Sequence, residues 1–225
     1  QDSGASLFPY TDYFRLYRLT DTVPKSALFI GAGAYTMPKL LHSEVPDARI
    51  DVVEIEPHIE DIAHEYFALS ETAMIRTYTL DGRMFLAHST SSYDLIFSDV
   101  YYTMNSVPAH VTTKEFFRRA HARLSPKGIF LANIIGSNLE FPESMLYAEI
   151  RTMHTVFPFV SVFPVESSTS SRMQNFILAG SNVPLAGEID SAPPGTGEQN
   201  IAKERRIEKS TYRTYPVLTD DYAPT

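Results

Sequence analysis

Ala27-Leu-Phe-Ile30, followed by Gly31-Ala-Gly33-Ala-Tyr-Thr36, decides the fold. Four consecutive apolar residues ending at a glycine read as a short strand buried on both faces, as strands of parallel sheets are. The glycines let the backbone approach a ligand, and a helix predicted from Tyr35 to Leu41 offers free N–H groups just beyond them. Glycine-rich strand-to-helix turns also serve packing alone. The third position of the dinucleotide fingerprint holds Thr36 instead of Gly or Ala, so that fingerprint is met only in part.

Working outward, apolar runs alternate with amphipathic stretches from Ser26 to Ala179. Further strands are predicted at Arg49–Glu54, Ile75–Leu80, Tyr93–Phe97, Ile129–Ile135, Val160–Val165 and Asn175–Ala179. Pro57 suits the first turn of a helix running to Phe67, and Thr112-Thr-Lys-Glu115 reads as a capping box opening a helix from Glu115 to Leu124. Ser125-Pro-Lys-Gly128 reads as a turn, and a further helix is predicted from Pro142 to Val156. Such strand–helix units imply an α/β, doubly wound, mostly parallel sheet of seven strands. The last two strands have no helix between them, which predicts an antiparallel edge.

The expected organisation is a lead-in segment with a helix over residues 1–25, an adenosine-binding Rossmann-like domain over 26–180, and an irregular tail over 181–225. The tail is rich in Pro, Gly, Ser and Asn up to Gln199, with a short charged helix candidate at Ala202–Lys209. The chain has 225 residues, 44% of them hydrophobic and 12% aromatic, which is globular composition. Its net charge of −8 argues against a sequence-independent nucleic-acid binder and suits cationic or neutral small partners. The absence of Cys removes disulfides, thiolate zinc sites and Cys nucleophiles. The seven His residues show no metal-ligand spacing, so no metal is expected. No apolar run reaches the roughly 18–20 residues of a membrane span, and no signal-peptide pattern is present. The chain opens on Gln1 instead of Met, as a trimmed or partial chain would, and a cytoplasmic location, or the soluble part of a tethered protein, is the expectation.

Ligands of open α/β sheets bind outside the carboxyl ends of the strands. The first strand ends at Gly31 and Gly33, and the second at Glu54, 23 positions beyond Gly31, where an acid accepts from both ribose hydroxyls of an adenosine. The third ends at Asp81-Gly82, where a carboxylate accepts from an adenine amino group or, on the plainer reading, caps the next helix. The fourth ends at Asp99, at the centre of the cleft mouth. Together these ends describe an adenosine-binding fold of the class I methyltransferase type.

At these residues the sequence resembles the spermidine synthase family, the polyamine aminopropyltransferases. Gln1 and Tyr10 resemble the family's pair that lines the polyamine and thioadenosine pockets, and Ala27–Gly33 its first strand and turn. Val53-Glu-Ile-Glu-Pro57 is similar to its ribose-binding motif, Asp81-Gly82 to its adenine-binding pair, and Tyr93–Asp99 to the strand carrying its catalytic aspartate. Leu218-Thr-Asp-Asp-Tyr-Ala-Pro224 resembles a tail motif of bacterial spermidine synthase-like proteins, some fused to membrane domains. The resemblance implies decarboxylated S-adenosylmethionine as donor, putrescine or a related polyamine as acceptor, and a possible homodimer, which the family forms with the help of an N-terminal hairpin domain that precedes the position of Gln1.

Two departures bear on the reaction. Ala34 stands where the family has an acid for the aminopropyl ammonium, and Tyr102 where it has a second acid. One lost ammonium contact costs about 1.5–3 kcal/mol, which would lower preference for the decarboxylated donor about tenfold to a hundredfold. The sequence therefore leaves three readings open. These are aminopropyl transfer with Asp99 accepting the amine proton, methyl transfer from S-adenosylmethionine to a larger acceptor held by Tyr101 and Tyr102, and a catalytically weak binding domain.

Overall fold

The computed structural model describes residues 9–20, 22–101, 107–139, 144–185 and 211–222. Gln1, Tyr102 and the charged helix candidate at Ala202–Lys209 lie outside the described residues. Seven strands form one sheet: β1 (Ser26–Ile30), β2 (Arg49–Glu54), β3 (Ile75–Thr79), β4 (Tyr93–Ser98), β5 (Leu124–Gly136), β6 (Phe159–Pro164) and β7 (Gln174–Ser181). Their order is β3-β2-β1-β4-β5-β7-β6. The first five are parallel, and β7 lies antiparallel between β5 and β6, so the doubly wound sheet with an antiparallel edge is as the sequence implies. The chain moves from β1 outward to β3 and returns to β4 on the other side of β1. This places the switch point between β1 and β4.

Five α-helices connect the strands: α1 (Thr36–Glu44), α2 (Ile59–Tyr66), α3 (Gly82–His88), α4 (Lys114–Ala122) and α5 (Met145–His154). Alternate residues of β1 feed two cores, which is why the strand has no polar position after Ser26. Leu28 and Ile30 pack with Phe85, Phe117, Phe130 and Ile150 on the side of α3, α4 and α5. Ala27 and Phe29 pack with Phe97, Leu131 and Leu41 on the other side, where Tyr13, Phe14 and Tyr17 of the 3-10 segment Pro9–Thr20 close the layer.

Three local expectations shift. The α2 helix opens at Ile59, with Pro57 in the turn before it. The cap of α4 is Thr113, whose side chain accepts from the Phe116 N–H, while Thr112 donates its hydroxyl to the Ala109 carbonyl. The cap is therefore displaced by one residue and the expected capping box does not form, since Phe116 stands at the third helical position and Glu115 is left for another partner. The Ser125–Gly128 turn is absorbed into β5 as an irregularity, since Leu124 pairs with Tyr93 and Ile129 with Leu95. Gly128 is needed there because a Cβ would lie 2.8 Å from the Tyr93 carbonyl oxygen.

Glu149 of α5 is buried, and burial pushes its carboxyl from 4.5 up to about 8. Such a group holds its proton in the folded protein and releases it on unfolding, so its contribution is full below pH 4.5 and is lost as pH rises toward 8. The loss between pH 5 and pH 8 is on the order of 3–4 kcal/mol. Glu149→Gln, nearly isosteric and without a charge to bury, is expected to melt well above wild type at pH 8 and close to it at pH 5. Thermal unfolding at both pH values checks this, and a gap independent of pH would contradict it.

Candidate active site

The ladder hydrogen bonds run one residue past the strand ends, which ties the loop residues to the sheet. The Gly31 N–H donates to the Val53 carbonyl, that of Leu80 to Glu54, and that of Asp99 to Ile30. Gly31, Glu54, Asp81 and Asp99 therefore stand side by side along one edge, as their positions in the sequence imply.

Gly31 has φ +89°, and a Cβ there would lie 2.4 Å from the Asp99 carbonyl oxygen. Gly33 has φ +49° with open space around its Cβ direction. Between them, the Ala32 N–H donates to Glu54 Oε2 at 2.9 Å, and the Glu56 N–H donates to Oε1 at 3.0 Å. Each carboxylate oxygen keeps a further acceptor position, so Glu54 is fixed in place and still able to accept from two adjacent hydroxyls. Tyr35 also belongs to this turn. It is fully buried in the left-handed region at φ 56°, and its hydroxyl meets that of Thr77 at 2.9 Å. No sequence signal marks it.

Asp81 does cap α3, accepting from the Met84 N–H at Oδ1 (2.9 Å). Its Oδ2 lies 3.0 Å from His110 Nε2, a partner that sequence spacing cannot show. The plainer reading of Asp81 thus holds, and again each oxygen has room for a further donor. Gly82 packs directly on β1, where a Cβ would fall 2.2 Å from Ile30 Cγ2.

Asp99 sits at the start of a partly buried polar network centred on the buried Asn133. Asn133 of β5 donates to Asp99 Oδ1 at 2.8 Å, Asn175 of β7 donates to Asn133 Oδ1 at 2.9 Å, and the Tyr101 hydroxyl donates to the Asn133 carbonyl at 3.0 Å. Tyr10 also hydrogen-bonds Asp99, which brings the predicted Tyr10 next to the predicted base. Burial raises the Asp99 carboxyl above the usual range, opposed by the bonds from Asn133 and Tyr10. Burial and the neighbouring Asp99 raise Tyr10 and Tyr101 as well, so both phenols remain neutral donors. Asn133 had a signal, being the one polar residue in Ile129–Ile135. A carboxylate held by donors and raised above its ordinary range suits accepting a proton from a bound amine. Among the described residues no group of three or more His, Asp or Glu side chains converges as metal ligands would.

No family model matches the chain. It is 29% identical over 238 residues to the polyamine aminopropyltransferase of Vibrio vulnificus, covering 96% of this chain and 74% of that protein. It is 25% identical over 159 residues to the human eEF1A lysine and N-terminal methyltransferase, covering 66% of this chain and only 22% of that one. Among solved structures, a probable spermidine synthase from Corynebacterium glutamicum superposes with TM-score 0.74 at 20% identity, over 97% of this chain and 82% of the other. Human methyltransferase-like protein 13 in complex with SAH superposes with TM-score 0.67 at 22% identity, over 92% and 97%. No helix among the described residues is long and apolar enough to cross a membrane.

Proposed function

We propose that this chain, a spermidine synthase-like transferase of the class I methyltransferase-type fold, moves an aminopropyl group from decarboxylated S-adenosylmethionine to a polyamine-type amine. The observation that carries the reading is Asp99, held by Asn133 and Tyr10 at the switch point with a raised carboxyl. In this reaction the lone pair of a neutral amine forms a bond to the propyl carbon. The carbon–sulfur bond breaks, and methylthioadenosine leaves as a neutral thioether. Alkylamines have pKa values of about 10, so the acceptor arrives charged and must give up a proton. Asp99 takes it. Glu54 and Asp81 hold the ribose and the base, and Tyr10 lines the acceptor side. Fixing both partners in line supplies the rest of the rate enhancement. The sequence resemblance assigns Gln1 and Tyr102 to the acceptor as well.

Methyl transfer from S-adenosylmethionine is the second reading. Two observations favour it. Ala34 supplies no acid at the turn, and the similarity to the eEF1A methyltransferase extends over two thirds of this chain.

Calorimetric titration with S-adenosylmethionine, its decarboxylated form, methylthioadenosine and putrescine separates these readings. Tighter binding of the decarboxylated donor and methylthioadenosine, with putrescine binding alongside, is the expected result. Preference for S-adenosylmethionine moves the assignment to methyl transfer. Binding of none overturns the adenosine roles of Glu54 and Asp81.

A further inference from the structure

The tail motif beginning at Leu218 has no part in the chemistry above, yet it is bound to the helices that follow the strand ends. Leu218 is fully buried, its N–H donating to the Thr152 hydroxyl at 2.9 Å and its carbonyl accepting from the Lys114 N–H at 2.9 Å. This seats the tail on both α5 and α4. Two residues on, Asp220 takes the Arg83 guanidinium in a two-pronged ion pair, with Nη1 donating to Oδ1 at 2.7 Å and Nη2 to Oδ2. Asp220 Oδ1 also accepts from the Thr113 hydroxyl at 2.9 Å, and the Asp220 N–H donates to Glu115 Oε2 at 3.1 Å, the partner left free by the displaced cap.

Arg83 is the second residue of α3, directly after Asp81-Gly82. Its Nη1 also donates to the His110 carbonyl at 3.1 Å, and the ring of that same His110 meets Asp81 Oδ2 at 3.0 Å. Asp220, Arg83, His110 and Asp81 thus form one continuous chain from the tail to the carboxylate at the end of β3. An arginine fork fixes direction as well as charge, which a lone ammonium would not.

We propose that the Leu218–Asp220 segment is a clasp on the nucleoside side of the cleft, with Asp220 and Arg83 acting as positioning residues that hold His110 and, through it, the Asp81 carboxylate for the amino group of a purine-type base. This rests on the adenosine reading of Asp81. Tail docking and nucleoside binding are then coupled, and linkage makes the coupling reciprocal. A disturbed clasp weakens the nucleoside, and bound nucleoside tightens the clasp.

The test uses the full chain, with methylthioadenosine as the probe and amide hydrogen exchange as a second readout. Asp220→Asn keeps the shape but loses the fork's charge, and Arg83→Lys keeps the charge but loses the fork. Each is expected to weaken methylthioadenosine about tenfold, the range of one hydrogen bond to a charged group. Each is also expected to speed exchange of the Met84 amide, which reports on Asp81. Asp220→Glu should recover most of the affinity, and methylthioadenosine should slow exchange of the Asp220 amide in the wild type. Folded Asp220→Asn and Arg83→Lys variants with unchanged affinity and unchanged Met84 exchange overturn the clasp alone. A wild type that binds no methylthioadenosine overturns the adenosine reading and the proposal with it, so the wild-type titration tells the two failures apart.

Discussion

Asp99→Asn is expected to lower turnover by about a hundredfold to ten-thousandfold, the range carried by a positioned general base. Methylthioadenosine affinity should stay within about threefold of wild type. The substitution is close to isosteric. The new amide can turn its oxygen toward Asn133 Nδ2 and keep the 2.8 Å contact, so the network from Asn175 through Asn133 survives while the proton acceptor is lost. The pH profile gives an independent check. Burial raises the Asp99 carboxyl above its ordinary 3.8, so the acid limb of the wild-type rate should fall at a pH higher than a free aspartate would set, and that limb should vanish in the variant. Turnover within about threefold of wild type would remove Asp99 from the reaction. Weaker methylthioadenosine binding together with lost turnover would instead make it a nucleoside ligand.

The sheet was legible because both faces of β1 and β4 are buried. Ala27–Ile30 and Leu95–Phe97 must then be apolar throughout, as strands of a parallel sheet covered on both faces are. The strand-end residues were legible for a related reason. A residue just past a parallel strand is fixed to the sheet by one more ladder bond, as Gly31, Leu80 and Asp99 are, so Gly31, Asp99 and the Asp81 that follows Leu80 could be located by counting from the strands. What the sequence hid are partners brought in from other elements. His110 reaches Asp81 across 29 positions, Asn175 reaches Asn133 across 42, and Asp220 reaches Arg83 across 137. Such pairs follow from tertiary packing, and their residue types are common on surfaces. Asn133 alone carries a signal in the sequence, unused in locating the site, because an amide in a buried strand must find a partner. The cap of α4 slipped from Thr112 to Thr113 because adjacent threonines make equally good caps and the docked tail, with Asp220 on Thr113, decides between them.

The two glycines of the first turn should part company under the same substitution. Gly31→Ala faces two costs at once. Its φ of +89° lies in the region that a Cβ disfavours, and the added carbon would fall 2.4 Å from the Asp99 carbonyl oxygen. The obstacle is backbone, itself tied to Ile30 by the Asp99 N–H, so relief requires the ends of β1 and β4 to separate. Left-handed strain of about 1–2 kcal/mol and overpacking of about 1–3 kcal/mol add to a loss of roughly 2–5 kcal/mol. That is a large share of a typical domain's 5–15 kcal/mol. Any Gly31→Ala protein that still folds carries a displaced Asp99 and should be inactive. Gly33→Ala meets nothing within 4 Å at φ +49°, so it should lose only about 1 kcal/mol. In the chain Gly33 stands between Ala32, whose N–H anchors Glu54, and α1, in the turn to which the adenosine reading assigns the ligand. The methyl group there should therefore weaken methylthioadenosine while the fold holds. Thermal unfolding and titration of both variants decide it. Equal loss of stability in the two would refute the backbone contact at Gly31, and full nucleoside affinity in Gly33→Ala would move the ligand off this turn.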